Sequence, residues 1–247
     1  MRSLLEIGPN AAWVLLAVVF AGIWVYALYR EDIRNPEPIW MLLLAAGAGV
    51  GAFLVADRVE GWLPTSLYNL HGPLQSRAAL AFLVIGPVEE LIKFLGVLVL
   101  VWPWTHFDEP MDGLVYAAAA GAGFALVENL EFMREEPAVI LSRGPAATCA
   151  HVLFAAFWGA ALGQAKHLGR GWKRLSIVAV GLALASLAHG AFDLVTFSVN
   201  HELTLDQGRV IQIALVGVCL VFLRWRIRAA LKVRPFQYRR KQEAPPR

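Results

Sequence analysis

Charge is scarce in this chain. Only 17% of its residues are Asp, Glu, Lys or Arg against 58% hydrophobic ones, and the mean hydropathy is +0.56. A soluble domain usually carries about 25% charged residues, so this balance excludes that class and indicates an integral membrane protein. Cysteine is nearly absent. Cys149 and Cys219 lie in separate apolar stretches with no CxxC or Cys/His spacing, which points away from a disulfide framework or a structural zinc site. The sequence also has no HExxH segment, no linker long enough for a second domain and no internal repeat. The lack of a repeat argues against a secondary transporter, which usually shows repeated halves with broken helices.

Long apolar runs are what the chain has instead. Spans near 11–29, 39–56, 78–101, 112–133, 145–166, 174–198 and 209–226 approach the roughly 20 residues that cross a bilayer. The first run follows Arg2 but ends in Tyr29-Arg30-Glu31-Asp32 without a small-residue cleavage site, so it reads as a retained helix rather than a signal peptide. An interfacial or re-entrant piece from Gly61 to Leu74 would make an eighth span. The expected fold is an all-α polytopic transmembrane bundle of seven to eight spans. It forms a single domain over 1–228, followed by a basic cytoplasmic tail over 229–247.

Lys and Arg in alternate loops set the orientation. Arg30, Arg34, Lys166, Arg170, Lys173, Arg174 and the tail fall on one side, and Arg2, Arg58, Arg77, Arg134, Arg143 and Arg209 on the other. The positive-inside rule makes the first side cytoplasmic, giving a multi-pass plasma (inner) membrane protein with its N-terminus out and C-terminus in. Anionic headgroups account for the basic tail without nucleic acid.

A few ionisable residues nevertheless sit inside the apolar spans, where each is costly unless it faces a bundle interior or a watered cavity. These are Glu89, Glu90 and Lys93 in the third span, Glu128 in the fourth, His151 in the fifth and His189 in the sixth. With alternating spans they all fall in the outer half of the membrane, so the third to sixth spans are expected to form one polar cavity. Lys93 is i+4 from Glu89 and i+3 from Glu90, close enough to pair with one carboxylate while the other takes a proton. Phe124 shares a face with Glu128, beside Asn129, an amide able to donate to a carbonyl or oxyanion. Asp193 is i+4 from His189 and can fix its tautomer. No serine or cysteine has an evident dedicated base, so activated water is the expected nucleophile. It could be activated by glutamate alone, or by a metal such as zinc held by Glu128, His151 and His189.

EELIK at 89–93 resembles the EExxK motif of the PrsW intramembrane proteases, and FALVEN at 124–129 resembles their FxxxEN motif. The stretches from His151 and His189 (HGAFD) resemble the histidine-bearing motifs that follow in the same order. The family is related to the CAAX prenyl endopeptidase and CPBP superfamily. The resemblance implies a peptidase acting on a membrane-anchored protein substrate such as an anti-sigma factor. Its catalytic set would be Glu89, Glu90, Lys93, Glu128, Asn129, His151 and His189, with Phe124 and Asp193 supporting. It leaves metal dependence open, and it leaves open which of Glu89 and Glu90 is the base. A non-catalytic scaffold that binds partner helices, or a proton-coupled transporter, is the alternative.

Overall fold

The computed structural model describes residues 11–32, 35–64, 67–168 and 171–233. Among the described residues eight α-helices follow one another: α1 (Ala11–Glu31), α2 (Ile39–Gly61), α3 (Leu74–Leu80), α4 (Gly86–Leu100), α5 (Pro110–Phe132), α6 (Val139–His167), α7 (Trp172–Ser198) and α8 (Leu205–Ala230), with a π-helical stretch (Ala81–Ile85) joining α3 to α4. Six of these helices are long and apolar enough to cross a membrane. The remaining expected span is the continuous helical stretch of α3, the π-turn and α4. Helices suit that medium because they satisfy their backbone polar groups internally.

The possible eighth span does not form a helix. Its described residues between α2 and α3 make turns, and Thr65 and Ser66 lie outside the described residues. The Gly144-Pro145 pair, expected to start the fifth span, instead lies within α6. A proline there, two turns from the helix start, frees only the carbonyl one turn back. Most of the basic tail lies outside the described residues.

Burial divides the helices by role. About 89% of the apolar window of α5 and 83% of that of α6 are buried, against 11% in α1 and 17% in α8. The pair α5 and α6 therefore forms the centre, and α1 and α8 present most of their apolar surface outward. The Ala- and Gly-rich run 117–123 allows this pairing. A Cβ on Gly121 would stand 2.7 Å from the His151 carbonyl oxygen, so the missing side chain lets α5 lie directly against the backbone that carries His151.

Helix ends alternate between two faces of the bundle. At one face Arg224 of α8 pairs with Glu31 of α1, and Lys166 of α6 donates to the Trp102 carbonyl beyond α4 at 2.7 Å. At the other face Arg77 of α3 donates to the Phe197 carbonyl of α7 and pairs with Glu202 before α8. Arg143 of α6 pairs there with Glu128 of α5 at 2.7 Å.

The π-stretch aims the third expected span. Pro87 has no N–H to give the carbonyl four residues back, and the ladder widens so that the Gly86 N–H donates to the Ala81 carbonyl. Gly86 and Gly190 then meet at the crossing of α4 with α7. A Cβ on Gly86 would lie 2.6 Å from the Ser186 carbonyl oxygen, and one on Gly190 would lie 2.8 Å from that of Ala81. This crossing brings Glu89 and Glu90 next to His189.

Candidate active site

Lys93 is the hub of the polar cluster. It is fully buried, and its ammonium reaches Glu90 Oε1 at 2.8 Å, His151 Nδ1 at 3.0 Å and Glu89 Oε2 at 3.2 Å. The face of the Phe124 ring lies 3.8 Å from Nζ, a cation–π contact strengthened by desolvation. The i+3 and i+4 spacing led to the expectation of a pair with one carboxylate and the other free, whereas Lys93 contacts both at once.

The two carboxylates differ in surroundings. Glu90 is fully buried and is held by Lys93, by the Trp158 indole N–H on Oε2 at 2.9 Å and by His189 Nδ1 on Oε1 at 3.0 Å. Among the described residues Glu89 has Lys93 as its one close partner, with His189 Nε2 farther off at 3.7 Å. Glu89 lines a half-open cavity of about 140 Å³, together with Phe53, Asp57, Glu60, Phe124, Glu128 and Phe132. Glu90 does not line it. One carboxylate is fixed by donors and the other is presented to the cavity.

Both imidazoles are oriented. An ammonium has only hydrogens to offer, so His151 Nδ1 accepts from Lys93 and the neutral ring carries its proton on Nε2, which donates to Glu128 Oε2 at 2.8 Å. Glu128 is held in turn by Arg143. His189 directs Nδ1 to Glu90 and Nε2 toward Asp193 Oδ2 at 3.4 Å. The two rings are 5.1 Å apart and nearly perpendicular at 83°.

Asn129 sits elsewhere. It is fully buried, and its amide donates to Thr148 Oγ1 on α6 at 3.1 Å, tying α5 to α6. Three residues not singled out in the sequence belong to the cluster: Trp158, Arg143 and Glu60. Trp158 had a readable signal, since it lies seven residues after His151 and so on the same helix face. Glu60 stands at the end of α2 and has one buried oxygen without a partner among the described residues.

Residues 37–223 match the model of the PrsW family intramembrane metalloproteases. The chain belongs to that family. Protease PrsW of Bacillus subtilis (strain 168) is 28% identical over 195 residues, covering 76% of this chain and 86% of the relative. Protease PrsW of Clostridioides difficile (strain 630) is 26% identical over 186 residues, 73% of this chain and 77% of the relative. Protease PrsW of Geobacillus kaustophilus (strain HTA426) reaches 32% over a shorter 123 residues, 49% of this chain and 54% of the relative. No solved structure matches the chain. This PrsW-family protein is a multi-pass intramembrane endopeptidase, and the family's description as metalloproteases prompts a test of its donors. Ligand atoms of Glu89, His151 and His189 lie within 4.8 Å of one another. Two imidazoles and a carboxylate are a donor set of hydrolytic zinc. These residues fit a metal ion that takes the place of the Lys93 ammonium, which now holds Glu89 and His151. Glu128, the third ligand expected from the sequence, is engaged by His151 and Arg143.

Proposed function

We propose that this protease cuts a peptide bond of a membrane-anchored protein, such as an anti-sigma factor, in the cavity lined by α2, α4 and α5, with Glu89 acting on water. The observation that carries this reading is the contrast between the paired glutamates: Glu90 is saturated by three donors, whereas Glu89 faces the cavity.

A water beside Glu89 gives its proton to the carboxylate as its oxygen attacks the peptide carbonyl. The same carboxyl group then returns the proton to the leaving nitrogen. Lys93 and Trp158 hold Glu90, Glu90 and Asp193 fix the His189 ring, and Lys93 and Glu128 fix the His151 ring. The site is thus organised before substrate arrives. A zinc ion would be held by Glu89, His151 and His189 in place of the Lys93 contacts to Glu89 and His151, would supply a Lewis acid for the carbonyl and would lower the pKa of nearby water, leaving one Glu89 oxygen for the proton. Asn129 acts on this reading by joining α5 to α6 rather than at the reacting atoms.

The loop charges support a plasma-membrane protein with its N-terminus outside and its C-terminus in the cytoplasm, which turns the Arg143–Glu128 face and the cavity mouth outward. The lining phenylalanines and the open mouth suit entry of an unwound segment just outside its anchoring helix.

The test is cleavage of a candidate membrane-anchored anti-sigma factor in liposomes by wild type, Glu89→Gln and His189→Ala, each with and without chelator. Cleavage by wild type alone is expected. Equal cleavage by the folded variants would overturn the reading.

A further inference from the structure

A second carboxylate cluster lies at the opposite face of the bundle, where the α1–α2 connection meets the start of α5. Asp32, Glu37 and Asp112 are 1%, 3% and 0% exposed, and one oxygen of each lies within 4.8 Å of the others. Their partners leave oxygens unused. Asp112 Oδ2 accepts the N–H groups of Asp108 and Glu109, each at 2.6 Å, as part of the α5 capping box. The Tyr116 hydroxyl donates to Glu37. Neither Asp32 oxygen has a hydrogen-bond partner among the described residues, nor has Asp112 Oδ1.

Among the described residues no Lys, Arg or His forms an ion pair with Asp32, Glu37 or Asp112. Lys166, whose charge acts on Asp112 and Asp108, gives its hydrogen bond to the Trp102 carbonyl and sits 5.4 and 5.1 Å from the Trp102 and Phe107 rings. Three buried carboxylates that no described side chain pairs with are strongly unfavourable. Nothing in the protease reading uses them, and they stand at the far ends of their helices from Glu89.

We infer that Asp32, Glu37 and Asp112 bind a divalent cation of the magnesium or calcium type, which clasps the α1–α2 connection to the first turn of α5. An all-oxygen donor set selects such hard cations over zinc or copper. The spacing also suits one ion: calcium–oxygen distances of 2.3–2.6 Å allow ligand oxygens up to about 5 Å apart. The unpartnered Asp32 oxygens would become ligands, and a cation would cancel charge that the described side chains leave uncompensated. This inference is independent of the peptidase assignment.

The test uses the full-length protein in detergent, stripped with chelator and returned to metal-free buffer. Thermal unfolding is followed against CaCl2 or MgCl2, with NaCl at matched ionic strength as control. Terbium luminescence excited through Tyr116 and nearby tryptophans gives a direct binding signal. Wild type is expected to gain roughly 5 °C in saturating cation and to show terbium emission that calcium displaces. Asp32→Asn should lose both responses and, without cation, melt above wild type, because it removes an uncompensated charge; a residue holding only packing would melt lower. Glu37→Gln is the second variant should Asp32→Asn fail to fold. No shift and no terbium signal in wild type would overturn the inference. So would a full response in Asp32→Asn, or a response abolished by a His151→Ala, His189→Ala double variant, which would place the ion in the other cluster.

Discussion

Trp158→Phe tests the claim that Glu90 is an anchored carboxylate. The indole is fully buried, donates to Glu90 Oε2 at 2.9 Å and packs edge-on against Phe94 with ring centroids 5.9 Å apart. Phenylalanine keeps the aromatic contact and most of the volume but removes the N–H. A hydrogen bond to a charged acceptor contributes about 1.5–3 kcal/mol. At roughly 2–4 °C per kcal/mol for a chain of this size, the melting midpoint should fall by about 3–12 °C. Loosening Glu90 also loosens the His189 ring bound to Oε1, so cleavage should slow with little change in KM. Thermal unfolding in detergent and a substrate-cleavage assay read both effects. A cycle with Glu90→Gln isolates the bond, since Trp158→Phe should cost far less once the carboxylate is gone. A Trp158→Phe protein as stable and active as wild type, or an equal loss in the Glu90→Gln background, would refute the anchoring argument.

Gly86→Ala places a methyl group 2.6 Å from the Ser186 carbonyl oxygen and must part α4 from α7. A loss of about 1–3 kcal/mol in thermal unfolding, with a fall in cleavage as His189 moves off Glu90, is expected. Metal analysis of purified protein should find about one zinc per chain, and the His151→Ala, His189→Ala double variant should have lost it. At the opposite face, burial and then the Glu109 and Asp108 carboxylates push the Asp32 pKa up to about 7, and burial chiefly raises that of Glu37 to about 7. The folded cation-free protein therefore binds more protons than the unfolded chain between about pH 4 and 7. Its melting midpoint should be highest at the acid end of that window and fall as pH rises through 7, and Asp32→Asn should flatten the fall.

Much of the candidate site was legible because the bilayer makes each buried charge conspicuous. Glu89, Glu90, Lys93, Glu128, His151 and His189 stand out against apolar runs, and the i+3 and i+4 spacings gave Lys93 and Asp193 partners that the structure reproduces. What periodicity could not separate was Glu89 from Glu90. Their difference arises from Trp158 and His189 on other helices, contacts that no spacing within 86–100 encodes. Asn129 shows the same limit, since an amide beside a glutamate reads as chemical until Thr148 is found opposite it. The boundary at Pro145 failed because a proline near a helix start breaks only one backbone bond. The carboxylates at 32, 37 and 112 looked like loop and cap residues, and only the fold brings them together.

On the proposed mechanism Glu89, rather than Glu90, works on water. The most direct measurement compares substrate cleavage in liposomes by Glu89→Gln and Glu90→Gln, with the melting midpoint of each recorded. Glu89→Gln should stay folded and lose about 100-fold or more of its cleavage rate, whereas Glu90→Gln should show the larger loss of stability and retain measurable cleavage. A folded Glu89→Gln protein that cleaves at the wild-type rate would contradict that mechanism.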